Sequence, residues 1–264
     1  MSLRLPTPPT TSCRLLAYAS SFVGRRAKEV KRNFTSFSIP SASSSLPNAN
    51  ASISNGFPIP GGLEDEMVGY IFGRRKATDV AHSVWKHVVR EGDTVVDATC
   101  GNGHDTLALV KLVAGESARG RVYGIDIQED ALRSTSCFLG QSLGTQEMEH
   151  VKLFPKCHTK LAEIVPEDAS VRLVAFNLGY LPGGDKAITT RSETTLLALE
   201  AAGSIIKPGG LISTVVYVGH PNGREEFETV QAFASGLSTE NWVCCKLQML
   251  NRPLAPVLIF MFKR

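Results

Sequence analysis

The stretch TVVDATCGNGHDTLALVKLVAG, Thr94–Gly115, decides the fold. TVVD is a short β-branched run of the kind that forms a buried strand. It ends in an acid and a turn in which Gly101 and Gly103 allow tight backbone geometry beside a ligand. The apolar residues that follow have helical spacing. A strand, a glycine turn and a helix make the first half of a strand–helix–strand unit. RVYGIDI, Arg121–Ile127, supplies the second strand and ends in Asp126.

Outward from this unit the alternation continues. ATDVAHSVWKHVVREGD, Ala77–Asp93, carries Val80, Val84, Val88 and Val89 at helical spacing before it. After it come helical QEDALRSTSCFLG, the strand HVKLFPK, a short helix near Lys160–Ile164, and the strand VRLVAFN, Val171–Asn177. The helix SETTLLALEAAGSII, a KPGG turn at Lys207–Gly210, the strand LISTVVYV and the helix REEFETVQAFASGL follow. WVCCKLQML and PVLIFMFK close the chain with no helix between them. The pattern predicts an α/β fold with a doubly wound, mostly parallel sheet of seven strands and a C-terminal antiparallel hairpin.

Composition divides the 264 residues into three parts. Residues 1–55 hold twelve serines, five prolines, seven Lys or Arg and the single acid Glu29. Such a segment cannot bury enough apolar surface to offset its ordering entropy, and it reads as a disordered organelle transit peptide rather than a generic tail. Residues 56–77 form a Gly-containing, basic lead-in with the cluster Gly73 to Lys76, and 78–264 form the folded α/β domain. The whole chain is +3, but without residues 1–55 the remainder is near −3. A nucleic-acid partner would therefore be held by a local patch, with Arg74, Arg75 and Lys76 the candidates against a solvated linker. No apolar run reaches a membrane-spanning length, so no membrane partner is expected. The six cysteines contain no CxxC pair, and no metal site is expected.

Two acids point to the ligand. Position 106 is Thr, so the third glycine of a dinucleotide fingerprint is missing, and a dehydrogenase is disfavoured. Asp126, twenty-three residues after Gly103, can accept hydrogen bonds from both hydroxyls of an adenosine ribose. Asp97 beside a pyrophosphate would be repelled, whereas beside a cationic amino-acid tail it would be favoured. That combination fits S-adenosylmethionine. Asp105 is either a ligand contact or a helix N-terminal acid offsetting the macrodipole.

DATCGNGHDT, YGIDIQ, FNLGYLPGGDK, KPGG and VYVGHPNGREE have the order and spacing of the MnmM (YtqB-like) methyltransferases, formerly rRNA methylases by label. The chain resembles that family from about Thr78 to its C-terminus, with an added N-terminal extension that suggests a plant organelle form. The resemblance implies a class I, Rossmann-like, S-adenosylmethionine-dependent fold. It also implies methylation of the aminomethyl nitrogen of 5-aminomethyl-2-thiouridine at the tRNA wobble position, in the anticodon loop. Thr99, Gly101, Asn102, Gly103, His104, Asp105, Ile127 and Gln128 join Asp97 and Asp126 as expected cofactor neighbours, and His158 after the third strand and Asn177 at the end of the fourth are two more. Chloroplast is the expected location, with mitochondrion or dual import open, as is the oligomeric state, a homodimer being one option.

The fourth strand ends in NLGY, which is similar to the Asn-Pro-Pro-Tyr motif of amino-group methyltransferases, with Leu178 and Gly179 where prolines would stand. The Asn177 amide oxygen can accept an amine N–H and aim its lone pair. Tyr180 offers a face for a flipped-out base. Asp185 is the nearest acid and the candidate base, against a plain turn acid. Lys186, Tyr217 and His220 are expected on the substrate side. A methyltransferase of rRNA or of a small amine, and a non-catalytic RNA-binding module on the same fold, are the alternatives.

Overall fold

The computed structural model describes residues 62–115 and 119–264; the basic, Ser-rich segment 1–55 lies outside the described residues. Seven strands form one sheet in the order β3-β2-β1-β4-β5-β7-β6. They are β1 (Thr94–Asp97), β2 (Arg121–Asp126), β3 (Val151–Pro155), β4 (Val171–Leu178), β5 (Ile206–Val216), β6 (Trp242–Leu247) and β7 (Val257–Lys263). The first five run parallel; β7 is antiparallel to both β5 and β6, which gives the expected hairpin at that edge.

Helices α2 (Ala77–Val88) and α3 (His104–Val113) cover one face. On the same side α4 (Glu129–Ser142) follows β2, and the short α5 (Thr145–Met148) leads into β3. The other face packs α6 (Leu161–Ile164), α7 (Ser192–Ile205) and α8 (Gly223–Gly236). Strand β4 explains why both faces need covering. Val174, Phe176 and Leu178 point to the α7 and α8 side, and Leu173 and Ala175 point to the α2 and α3 side, all buried. A strand buried on both sides reads as a continuous apolar run rather than an alternating one.

Two details differ from the sequence expectation. Within the segment 56–77, Leu63–Ile71 forms helix α1, which seats Met67 and Tyr70 against the α2 side of the core. Leu63, Met67, Tyr70 and Ile71 have helical spacing, but the element is short and carries Gly69 inside it. KPGG is not a turn ahead of β5 but an irregularity within it. Between the pairs Val171–Ile206 and Leu173–Leu211, Arg172 alone faces the four residues Lys207–Gly210.

In the parallel part of the sheet the carboxyl ends of β1, β2, β4 and β5 lie on one rim. Strands β1 and β4 are neighbours there, and the chain order reverses between them. A crevice opens at such a switch point, and ligands bind in it.

Candidate active site

A cavity of about 910 Å³ occupies that rim. Its size suits a nucleoside cofactor together with part of a second molecule. The glycine turn forms one wall. Gly103 has φ +84° and precedes α3, and a Cβ there would lie 3.0–3.1 Å from Thr135, so the position requires glycine for backbone conformation and for space. The Thr135 hydroxyl donates to the Gly101 carbonyl at 2.8 Å, which ties the turn to α4.

The three acids of this wall have different tasks. Asp126 lines the cavity, and its two oxygens accept from the backbone N–H groups of Gln128 (2.9 Å) and Gly101 (3.0 Å). Burial raises its pKa, and these bonds oppose the rise. The carboxylate is thereby aimed before any ligand arrives. Ile127, 57% exposed, extends the wall as an apolar surface next to it.

Asp97, by contrast, is 1% exposed and does not line the cavity. It accepts from the Thr106 hydroxyl at 2.6 Å and from the Thr99 N–H at 3.3 Å. Burial first, then the charge of Asp105, push its pKa up to about 7. Asp97 therefore braces the turn from beneath, and of the two acids Asp105 is the one on the cavity wall. Asp105 lines the cavity, accepts from Asn177 Nδ2 at 3.0 Å, and pairs with His82 Nε2 at 2.6 Å. A helix-dipole acid needs neither contact. His82, on α2, had no sequence signal beyond its place on an amphipathic helix.

Asn177 stands where the walls meet. Its backbone N–H donates to the Thr99 hydroxyl at 2.7 Å, and its amide nitrogen is committed to Asp105. Its Oδ1 is buried with no hydrogen-bond partner. A buried, unpaired acceptor costs about 1–3 kcal/mol relative to a satisfied one. Such an atom on a cavity wall is a place for an N–H donor.

The opposite wall is the loop after β4. Tyr180 is 37% exposed, with its ring 6.0 Å from that of His220 at 86° and Lys186 Nζ 5.6 Å from its centroid. The His220 Nδ1–H donates to the Pro221 carbonyl (2.7 Å), and its buried Nε2 has no partner. Tyr217 packs toward Gly179, and burial raises the pKa of its phenol, with Asp105 adding to the rise. The Asn102 amide donates to the Pro182 carbonyl at 3.1 Å and so links the two walls. On the remaining side His158 is 6% exposed, and burial lowers its pKa to about 4, which keeps the ring neutral.

Most of the expected residues thus meet in one place: Thr99, Gly101, Asn102, His104, Asp105, Asp126, Ile127, Gln128, His158, Asn177, Tyr180, Lys186, Tyr217 and His220 all line the cavity. Six do not line it: Asp97 and Gly103, which shape the glycine turn, and Asp185, Arg74, Arg75 and Lys76. Asp185 is exposed, and its carboxylate accepts from the Ala187 N–H at 2.9 Å in a local turn, so proximity in sequence to Tyr180 did not bring it to the cavity. Arg74 lies 5.7 Å from the Phe72 ring, Arg75 pairs with Glu66 at 3.1 Å, and Lys76 caps α2 through its N–H to Asp79. Thr190 and Glu226 were not expected at all. Thr190 lines the cavity and bonds Gly179, and Glu226, fully buried, bonds Thr190. Among the described residues no cluster of three potential metal ligands occurs.

Residues 122–263 match the family described as "Putative rRNA methylase", and residues 90–138 match a methyltransferase domain. The chain belongs to this rRNA-methylase family. It is 64% identical over 219 residues to the Arabidopsis thaliana protein named "tRNA (mnm(5)s(2)U34)-methyltransferase, chloroplastic", covering 82% of this chain and 80% of the relative. Two crystal structures of similar proteins have the same architecture. An rRNA-methylase from Clostridium thermocellum shares 38% identity at a TM-score of 0.67, over 72% of this chain and 98% of that one. A methyltransferase from Streptococcus mutans, in complex with SAH, shares 28% identity at a TM-score of 0.63, over 72% and 99%.

Proposed function

We propose that this chain is a chloroplast S-adenosylmethionine-dependent tRNA methyltransferase that methylates the aminomethyl nitrogen of 5-aminomethyl-2-thiouridine at the wobble position. The observation that carries the reading is Asn177 Oδ1: buried, unpaired, on the cavity wall, with its amide nitrogen already held by Asp105. The 64% identical relative carries a tRNA wobble-uridine name, and at that identity it outweighs the older rRNA label of the family. Its chloroplastic name also agrees with the basic, Ser-rich segment 1–55 of this chain.

The residues present fit the cofactor. Asp126 is aimed to receive the ribose hydroxyls, Ile127 gives a flat apolar surface for adenine, and Asp105 offers the negative charge that an α-ammonium requires. S-adenosylmethionine, when bound, supplies an electrophilic methyl carried on a sulfonium. Neutral His158 adds no positive charge to compete with it.

On the substrate side, Asn177 Oδ1 accepts one N–H of the neutral amine and so fixes the direction of its lone pair. Orientation of this kind can lower a barrier by several kcal/mol, because displacement requires an in-line approach. The Tyr180 ring supports a base taken out of the anticodon stack, and Lys186 beside it contacts phosphate. Forming the N–C bond would break the sulfonium–methyl bond and leave the neutral thioether SAH, and the resulting ammonium product would release its proton to solvent.

Nucleoside mass spectrometry of chloroplast tRNA from plants lacking the protein tests this reading. The expected result is loss of 5-methylaminomethyl-2-thiouridine with accumulation of its aminomethyl precursor. An unchanged profile would overturn it.

A further inference from the structure

The NLGY turn raises a physical problem. In an Asn-Pro-Pro-Tyr motif, ring constraints hold the backbone that presents the asparagine and the aromatic ring. Here position 179 could not carry a proline. Gly179 has φ +151°, far from the −65° that a proline ring imposes, and its N–H is in use, donating to the Thr190 hydroxyl at 2.9 Å. The turn is held by some other means.

Thr190 returns the contact, since its own N–H donates to the Gly179 carbonyl at 2.9 Å. Tyr180 pairs with Thr189 in an isolated antiparallel bridge beside it. The Thr190 hydroxyl, while accepting from Gly179, donates to Glu226 Oε2 at 2.9 Å. The other oxygen of Glu226 accepts from the Thr195 hydroxyl at 2.6 Å. Glu226 sits on the first turn of α8 at 0% exposure, and Thr195 is fully buried on α7. Burying a carboxylate is costly unless hydrogen bonds satisfy it, and here both oxygens have a hydroxyl donor.

We propose that Glu226 is a positioning residue for methyl transfer: through Thr190 it fixes the Gly179 backbone, and so sets Asn177 and Tyr180 on either side of it at their working separation. The two threonines separate this role from a merely structural one. Both bond Glu226, but only Thr190 also bonds Gly179. Glu226 ties the turn to both α7 and α8, so the turn stays fixed without proline rings. The inference rests on the amine-methylation reading of the cavity, and the test is chosen so that the two can fail separately.

The test compares Thr190→Val, Thr195→Val, Glu226→Gln and Glu226→Ala in the full chain, with kcat and KM on aminomethyl-thiouridine tRNA, SAH affinity by calorimetry, and hydrogen exchange of the peptide spanning 178–182. Thr190→Val should lower kcat by about tenfold to a hundredfold, since a misplacement of about 1 Å costs rates of that order. SAH affinity should stay within about threefold, and exchange at 178–182 should quicken. Thr195→Val should lose comparable stability yet keep kcat within about threefold, because it leaves the Gly179 bond in place. Glu226→Gln, whose amide oxygen can still accept from Thr190 while its amide nitrogen donates to Thr195, should retain much more activity than Glu226→Ala. Equal kcat losses in the two threonine variants, or unchanged exchange at 178–182 in Thr190→Val, would overturn the proposal. If the wild type does not methylate this tRNA, the functional reading fails, and the exchange comparison still decides the role of Glu226.

Discussion

The two turns that face each other across the cavity are built on different principles. The turn after β1 is braced mostly by its own strand–helix neighbourhood: Asp97 accepts from Thr99 and Thr106 within ten residues, and Gly101 bonds Asp126 at the end of β2 and Thr135 on α4. The turn after β4 is assembled from afar: Gly179 bonds Thr190, which bonds Glu226, and Asn177 bonds Thr99 and Asp105. A turn braced from beneath by Asp97 and from β2 and α4 suits a cofactor that is the same in every turnover. A turn braced at a distance holds a substrate seat through the packing of α7 and α8. Damage to the first turn should therefore appear as lost cofactor affinity, and damage to the second as lost turnover.

The sharpest break of that comparison is Asn177→Ala. We expect kcat to fall about a thousandfold, a loss of several kcal/mol of orientation, with SAH affinity within about threefold by calorimetry. A large loss of SAH affinity would move Asn177 to the cofactor side. On the first turn, Asp126→Ala should weaken SAH binding by about tenfold to a hundredfold, since charge-assisted hydrogen bonds to the ribose are each worth about 1.5–3 kcal/mol. The kcat at saturating cofactor should change far less.

Acid titration probes the same contrast through stability. Asp97 has a folded pKa of about 7 against an ordinary 3.8, so the stability its proton brings is fully present below about pH 4 and is lost as pH rises through 7. His158, at about 4 against 6.5, acts in the opposite sense: its contribution is present above pH 6.5 and is lost as pH falls through 4. In the wild type these slopes oppose each other between pH 4 and 6.5. His158→Phe removes one of them, and the stability gained on going from pH 7 to pH 5 should exceed the wild-type change by about 1–2 kcal/mol in denaturant titrations. An identical pH slope in both proteins would contradict the buried neutral imidazole. The smallest effect is expected for Asp185→Asn, which should alter kcat by less than about twofold, because an exposed turn acid outside the cavity contributes little.

The same contrast explains how much could be read from the sequence. The strand–helix alternation, the glycine turn and Asp126 were legible because each depends on neighbours in the chain. KPGG was legible as a break but not as an irregularity inside β5, since only the partner strand reveals the register. Glu226 stands among Glu225 and Glu228 on a helix with a polar face, and nothing local says which of the three is buried. His82 became part of the site only when α2 met α3 at Asp105. Asp185 and Asp97 both fall outside the cavity lining, because the order of residues along the chain says little about which way a loop carboxylate points.

The central claim is tested most directly by giving the purified protein labelled S-adenosylmethionine and two tRNAs that differ only at the wobble base, one with 5-aminomethyl-2-thiouridine and one unmodified, alongside an rRNA fragment. The account predicts label on the aminomethyl tRNA alone, as a secondary amine in the released nucleoside. Label on the unmodified tRNA or on the rRNA fragment, with none on the aminomethyl nitrogen, would contradict it.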